Sequence, residues 1–266
     1  MGLLEQYRRR LISGGAGESS GYITFGWDGY VQDKDSGVRI CGLSFNMGQI
    51  ASIKRNNENV PIAPIVELPG GQSYDIRIDY KALINADEIC QIYPGASGAA
   101  YRSLVYLDVS ELNTAKVVSM EALFVGIDCS IAGLNSLSTV NVESMRRIFD
   151  GRARSFLSGE IDGWDTSNVR NFSYAFRQTR SSFDEQYSID ISGWDTSSAT
   201  TMAAMFKGHK NLVELRMYGA TNPNADVDEM FQGVTSYGTF YYNPAYDYSH
   251  IIAQLPSTWT AIAVTQ

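Results

Sequence analysis

Four aspartates, two tryptophans and two histidines are the side chains whose type and spacing could do chemistry in this chain. Asp162, Asp165, Asp190 and Asp195 stand close to one another in two short segments. Paired carboxylates of this kind carry the acid–base work of glycoside hydrolysis. They recur, however, at one register of a repeated pattern. A catalytic pair is normally unique, whereas a turn aspartate that holds nearby backbone amides recurs by necessity. They are read as turn residues and the chain as a non-enzyme with no catalytic residues. A calcium loop of the Asp-x-Asp-x-Asp-Gly type is absent. Trp164 and Trp194 could stack against pyranose rings, or each could fill a corner of the core. His209 and His250, the only histidines, have no partner at metal-ligand spacing and read as surface or cap residues. No metal and no cofactor is expected.

The pattern that carries these residues occurs five times. Aligned on Thr114, Thr139, Thr166, Thr196 and Thr221, the copies lie 25, 27, 30 and 25 residues apart. Three residues on stand Val117, Val142, Val169, Ala199 and Asn224. Six on stand Met120, Met145, Phe172, Met202 and Val227, and nine on Leu123, Ile148, Ala175, Met205 and Met230. Ten on there is always phenylalanine: Phe124, Phe149, Phe176, Phe206 and Phe231. A fixed period of this length marks a solenoid of stacked supersecondary units. The spacings of 3, 3 and 1 fit one face of a short helix, with Ser167 or Asn168 and Ser197 or Ser198 as N-caps. Upstream apolar pairs such as Leu107/Val109, Ile189/Ile191 and Leu215/Met217 suit a strand. The expected fold is α/β: strand–turn–short helix repeats over 101–233 with a parallel sheet.

Around the solenoid, residues 22–100 read as a small, mainly β domain or N-terminal cap without the repeat. Strands are expected at Tyr22–Trp27, Val38–Phe45, Ile62–Leu68 and Tyr74–Tyr80, the last two paired as a hairpin through Pro69-Gly70-Gly71. Residues 234–266 read as a C-terminal cap, with a strand at Thr239–Tyr242, a helix from Tyr248 to Leu255 and a final strand from Trp259 to Val264. The aromatic group Tyr237, Phe240, Tyr241, Tyr242, Tyr246 and Tyr248 serves either that cap or a contact surface. Residues 1–21 read as a short helix and a glycine-rich linker, with Leu4, Tyr7, Arg8, Arg9, Arg10 and Leu11 as docking residues.

The net charge of −8 opposes nucleic-acid binding, and no apolar run is long enough for membrane insertion. The three cysteines, Cys41, Cys90 and Cys129, form no metal or disulfide framework and read as buried apolar residues. No apolar signal core follows Arg8–Arg10, so the chain is not expected to be exported by the Sec route on its own.

Ile161-Asp162-Gly163-Trp164-Asp165-Thr166-Ser167, followed by Phe172 and Phe176, and Gly193-Trp194-Asp195-Thr196-Ser197, followed by Met202, Met205 and Phe206, resemble the BspA-like leucine-rich repeats of bacterial surface proteins. The resemblance covers about residues 104–235. The outer copies depart from it: Leu112, Leu137 and Gly219 replace the tryptophan. The two ends are similar to virion proteins of phages that infect gut Bacteroidetes-type bacteria, through the Leu3-to-Arg10 start and the Gly238-to-Trp259 close. These resemblances imply a phage structural protein that contacts other virion proteins, a host-surface glycan or protein, or copies of itself. The alternative they imply is an adhesin or interaction module on the bacterial cell surface. Trp164, Trp194, Tyr241, Tyr242 and Tyr246 are the candidate binding residues.

Overall fold

A computed structural model describes residues 21–27, 37–43, 45–68, 73–81, 83, 85–90, 93–94, 104–127, 129–151, 160–179 and 186–265. The strands are β1 (Tyr22–Trp27), β2 (Gly37–Arg39), β3 (Ile50–Arg55), β4 (Glu58–Val60), β5 (Ile65–Glu67), β6 (Tyr74–Tyr80), β7 (Tyr93–Pro94), β8 (Leu104–Asp108), β9 (Ser130–Ala132), β10 (Tyr187–Asp190), β11 (Leu212–Met217), β12 (Gly238–Tyr242) and β13 (Trp259–Ala263). One short α-helix, α1 (Ser249–Ile252), follows β12.

The repeats form a solenoid, as their period implies, but a β-solenoid of stacked coils rather than an α/β one. The residues expected to be helical instead make two tight turns. In the central copies the N–H three residues after the threonine donates to the threonine carbonyl, as Val169 does to Thr166 at 2.9 Å. A second turn links +6 to +9, as Met205 donates to Met202 at 3.1 Å. The residue at +8 has positive φ in all five copies: Ala122, Arg147, Tyr174, Ala204 and Glu229. A right-handed helix cannot pass through that conformation. The backbone donors go to the next coil instead. At each junction the N–H groups at +6, +8, +10 and +12 donate to the carbonyls at +5, +7, +9 and +11 of the following copy, at 2.7–3.0 Å. The serines read as N-caps sit in these turns, and Asn168 donates through Nδ2 to the Val140 carbonyl of the preceding coil at 2.8 Å.

Inside the stack the +10 phenylalanines form a continuous column. Phe124, Phe149, Phe176, Phe206 and Phe231 have neighbouring centroids 5.4–5.7 Å apart and near-parallel planes. Trp259 of β13 extends the column beyond Phe231 at 6.2 Å. All five repeat threonines are buried. The Thr166 hydroxyl donates to the Asp195 carbonyl and accepts the Asp195 N–H, and Thr114 does the same with Ser138. Valine could fill this site but could not satisfy that peptide.

Two departures in the last copy have a local cause. Ala225 rather than Asn224 is the buried residue after Thr221, because the turn there closes from Asn222 to Ala225. Gly219 stands at the tryptophan position, and a Cβ there would lie 1.9 Å from the Trp194 carbonyl oxygen. Tyr248 serves this coil instead: it is buried, donates to the Gly219 carbonyl at 2.7 Å and packs edge-on against Phe240.

The N-terminal region is mainly β, with β1 and β6 spanning the residues expected. The hairpin expected between the last two strands does not form. β5 pairs with β2, whereas β6 lies between β3 and β1 in the other sheet. The hairpin that does form is β3–β4, through Asn56 and Asn57 at φ 48° and 69°, the left-handed pair a two-residue turn requires. A six-stranded sheet in the order β4-β3-β6-β1-β8-β9 joins this region to the stack, since β8 pairs antiparallel with β1 and parallel with β9.

Residues 83–90 carry the repeat as well. Leu83, Ala86, Ile89 and Cys90 keep the 3, 3, 1 spacing and are all buried. Glu88 has φ 61° at the equivalent of +8, and the Ala86 and Glu88 N–H groups donate to Ser119 and Glu121. This is a sixth coil, and it sits inside a region that reads as repeat-free.

Candidate recognition surface

The parallel sheet β10-β11-β12-β13 places one row of residues in register: Asp190, Arg216, Tyr241 and Ile262. The adjacent row, Ile189, Leu215, Phe240 and Ala261, turns inward, and its first three members are essentially fully buried. Strand alternation therefore sends the first row to solvent. Arg216 is its centre. It pairs with Glu214 at 2.8 Å and with Asp190 at 3.4 Å, and its guanidinium lies 5.7 Å from the Tyr241 ring centroid. Tyr218 stands beside this group, and burial with the nearby Asp190 and Glu214 carboxylates holds its hydroxyl pKa above the usual value against the pull of Arg216. Ile262 is 41% exposed at the far end of the row. Tyrosine, arginine and an exposed aliphatic side chain on a rigid sheet offer contact area at low entropic cost.

The expected site residues scatter. Trp164 and Trp194 are in the core, stacked on each other at 6.0 Å, and their indole N–H groups donate to the Leu134 and Ile161 carbonyls. Neither offers a ring face to a sugar, because both faces are spent on packing. Tyr241 joins the recognition row. Tyr242 turns back to stack on Phe240 at 5.9 Å, and Tyr246 lies exposed in the loop after β12. Leu4, Tyr7, Arg8, Arg9, Arg10 and Leu11 lie outside the described residues.

The four aspartate carboxylates hold turns and neighbouring side chains. Asp165 accepts from the Ser167 hydroxyl and N–H, which lower its pKa. Asp195 accepts from Ser197 N–H, Asp190 from Ser192 N–H and Asp162 from Gly193 N–H. His209 is a core residue rather than a surface one. Its Nε2 lies 2.6 Å from the Phe176 carbonyl and its Nδ1 meets the Tyr187 hydroxyl; burial lowers its pKa to about 4. His250 is half-buried on α1, and both its ring nitrogens lack a hydrogen-bond partner. Cys41 and Cys90 are buried and Cys129 is half-buried. Desolvation raises the Cys41 pKa to about 11. Among the described residues no group of His, Cys, Asp or Glu could hold a metal, and no helix is long and apolar enough to cross a membrane.

Arg216, Tyr218 and Ile262 were not singled out in the sequence. Their signal is the alternation Glu214-Leu215-Arg216-Met217, which identifies the outward face once Leu215 is known to be core.

No curated protein and no solved structure matches this chain. One family does: a family described as "Mycoplasma protein of unknown function, DUF285" matches residues 99–185 and again 118–240. The two matches together run from 99 to 240, more than half of the 266 residues and the whole run of five coils. The chain belongs to the DUF285 family of BspA-like repeat proteins.

Proposed function

We propose that this chain is a non-enzymatic recognition module, displayed on a bacterial cell surface, whose contact face is the outer side of β10–β13. The observation that carries the reading is the solvent-facing row Asp190, Arg216, Tyr241 and Ile262, held rigid by a sheet whose other side is core. The turn duties of Asp162, Asp165, Asp190 and Asp195 support a non-catalytic reading. Many copies on one surface would turn weak single contacts into avidity. A second reading, a phage particle as the carrier, is favoured by the Gly238-to-Trp259 close, most of which forms β12, the loop after it and α1.

The test is retention of the labelled full chain on bacterial envelopes. Arg216→Ala and Tyr241→Ala are each expected to weaken retention about tenfold, the loss typical of a contact residue. Unchanged retention in both would sink this face as the contact surface. Immunogold labelling separates the carriers: gold on envelopes fits the surface module, and gold at one place on phage particles fits the second reading.

A further inference from the structure

Between +6 and +12 the hydrogen bonds from coil to coil run one way, whereas at +4 and +5 the bonds run back, as from Arg170 N–H to the Glu143 carbonyl. At each junction the N–H groups at +6, +8, +10 and +12 donate forward and the carbonyls they meet accept from behind. The coil of Thr221 therefore ends the ladder with four donors, the N–H groups of Val227, Glu229, Phe231 and Gly233. Among the described residues none of the four has an acceptor. The described residues leave this row uncovered. After Val234 it departs to β12 and returns through α1 to β13, closing the core with Tyr248 and Trp259. Asp226, Asp228, Glu229, Gln232 and Gly233 remain exposed along the row.

Charge points to the occupant. Within the stack, acids are answered by bases one coil away: Glu121 by Arg146, Asp150 by Arg177 at 2.6 Å, and Glu229 by Lys207 at 2.7 Å. Glu121 and Arg146 both stand at +7, so in this register +7 faces +7. Asp228 is the +7 residue of the last coil, and among the described residues no cation meets it. A further coil laid in the same register would place its +7 side chain there.

We infer that the Thr221 coil is a docking edge for an extended basic segment of a partner protein. The segment adds as one more coil strand. Its alternate carbonyls accept the N–H groups of Val227, Glu229, Phe231 and Gly233, and a lysine or arginine faces Asp228. Main-chain bonds at a sheet edge supply affinity in this mode, and side chains supply choice of partner. A second copy of the chain fits less well. Its first coil would bring Asp87 and Glu88 against Asp228 and Glu229, which like-charge repulsion opposes.

The probe is a peptide of residues 141–150 carrying Glu143→Lys and Asp150→Lys. Its parent segment already stacks on the Thr114 coil with Arg146 at Glu121. It is titrated into the full chain while amide hydrogen exchange is followed. Saturable binding is expected, with exchange at Glu229 and Gly233 slowed about tenfold or more, as for amides newly bonded in a sheet. Asp228→Arg should weaken binding about tenfold, because charge reversal opposes a basic segment. Glu58→Arg, the same charge reversal at an exposed position of β4, should bind as the parent does. No saturable binding, binding that leaves those amides unchanged, or binding that survives Asp228→Arg would overturn the inference. Self-association of the chain that slows the same amides without peptide would overturn it too.

Discussion

Thr166 and Asp195 exchange two hydrogen bonds across a coil junction: the Thr166 hydroxyl donates to the Asp195 carbonyl and accepts the Asp195 N–H, both at 2.9 Å. The hydroxyl is buried, so removing it strands a peptide away from water. Thr166→Val should therefore cost about 2 kcal/mol, within the range for unsatisfied buried groups. Thr166→Ser keeps the oxygen and should cost less. Urea unfolding of the two variants checks this, and equal midpoints would remove the staple from the account.

The phenylalanine column predicts a steeper loss at its centre. Phe176 stacks on Phe149 and Phe206 and touches Trp194. Phe176→Ala should destabilise by about 3–5 kcal/mol through lost transfer energy and a cavity. Phe176→Leu, which fills more of the space, should lose less. A thermal melt resolves the order, and a Phe176→Ala midpoint near that of the parent would be incompatible with this packing.

The +8 turn makes the backbone itself testable. Ala204 has φ 54° and is buried. Valine is branched at Cβ and strongly disfavours this region. Ala204→Val should cost about 2 kcal/mol or more from strain and crowding. In a helix the same change would cost about 0.5 kcal/mol. The measured loss thus separates the turn from the helix it resembles in sequence.

Protonation of His209 should weaken the fold in acid. Its pKa falls from 6.5 to about 4 because burial disfavours the charged ring. A base with a lowered folded pKa contributes stability that is present above 6.5 and is lost as pH falls through about 4. That loss amounts to about 3 kcal/mol at the low end. Denaturation from pH 7 to 4 should show the decline, and His209→Gln should flatten it. A variant with the parent's full pH slope would exclude His209 as its source.

How much of this was legible in the residues divides along physical lines. The period was, because Phe124 to Phe231 recur at one place and the core must recur with them. Helix against turn was not: Ala122, Arg147, Tyr174, Ala204 and Glu229 all tolerate a helix, and no glycine marks the left-handed residue. The subtler mark is at +5. Ser144, Asn171, Thr201 and Asp226 each accept the N–H two residues on, a local bond that competes with helix. The coil at Leu83–Cys90 is hidden in the sequence because cysteine and alanine stand where phenylalanine and methionine define the others. Tyr241 was legible as an aromatic, but its separation from Tyr242 depended on strand alternation. Trp164 and Trp194 repeat at one register because each fills the same corner, which is also why neither is free to bind.

The repeated ladder from +6 to +12 makes each coil a cassette. Any junction presents the same donors to the same acceptors, so a coil can be removed or duplicated without new bonding chemistry. Excising residues 144–170 would join Glu143 to Asn171, from +4 of one coil to +5 of the next. The Met120 and Ala122 N–H groups would then meet the Asn171 and Ser173 carbonyls where they now meet those of Ser144 and Arg146. Length in this architecture is therefore adjustable in steps of one repeat, while the outward row at β10–β13 and the open edge at Thr221 travel with the final coils, their distance from the first coil set by how many lie between.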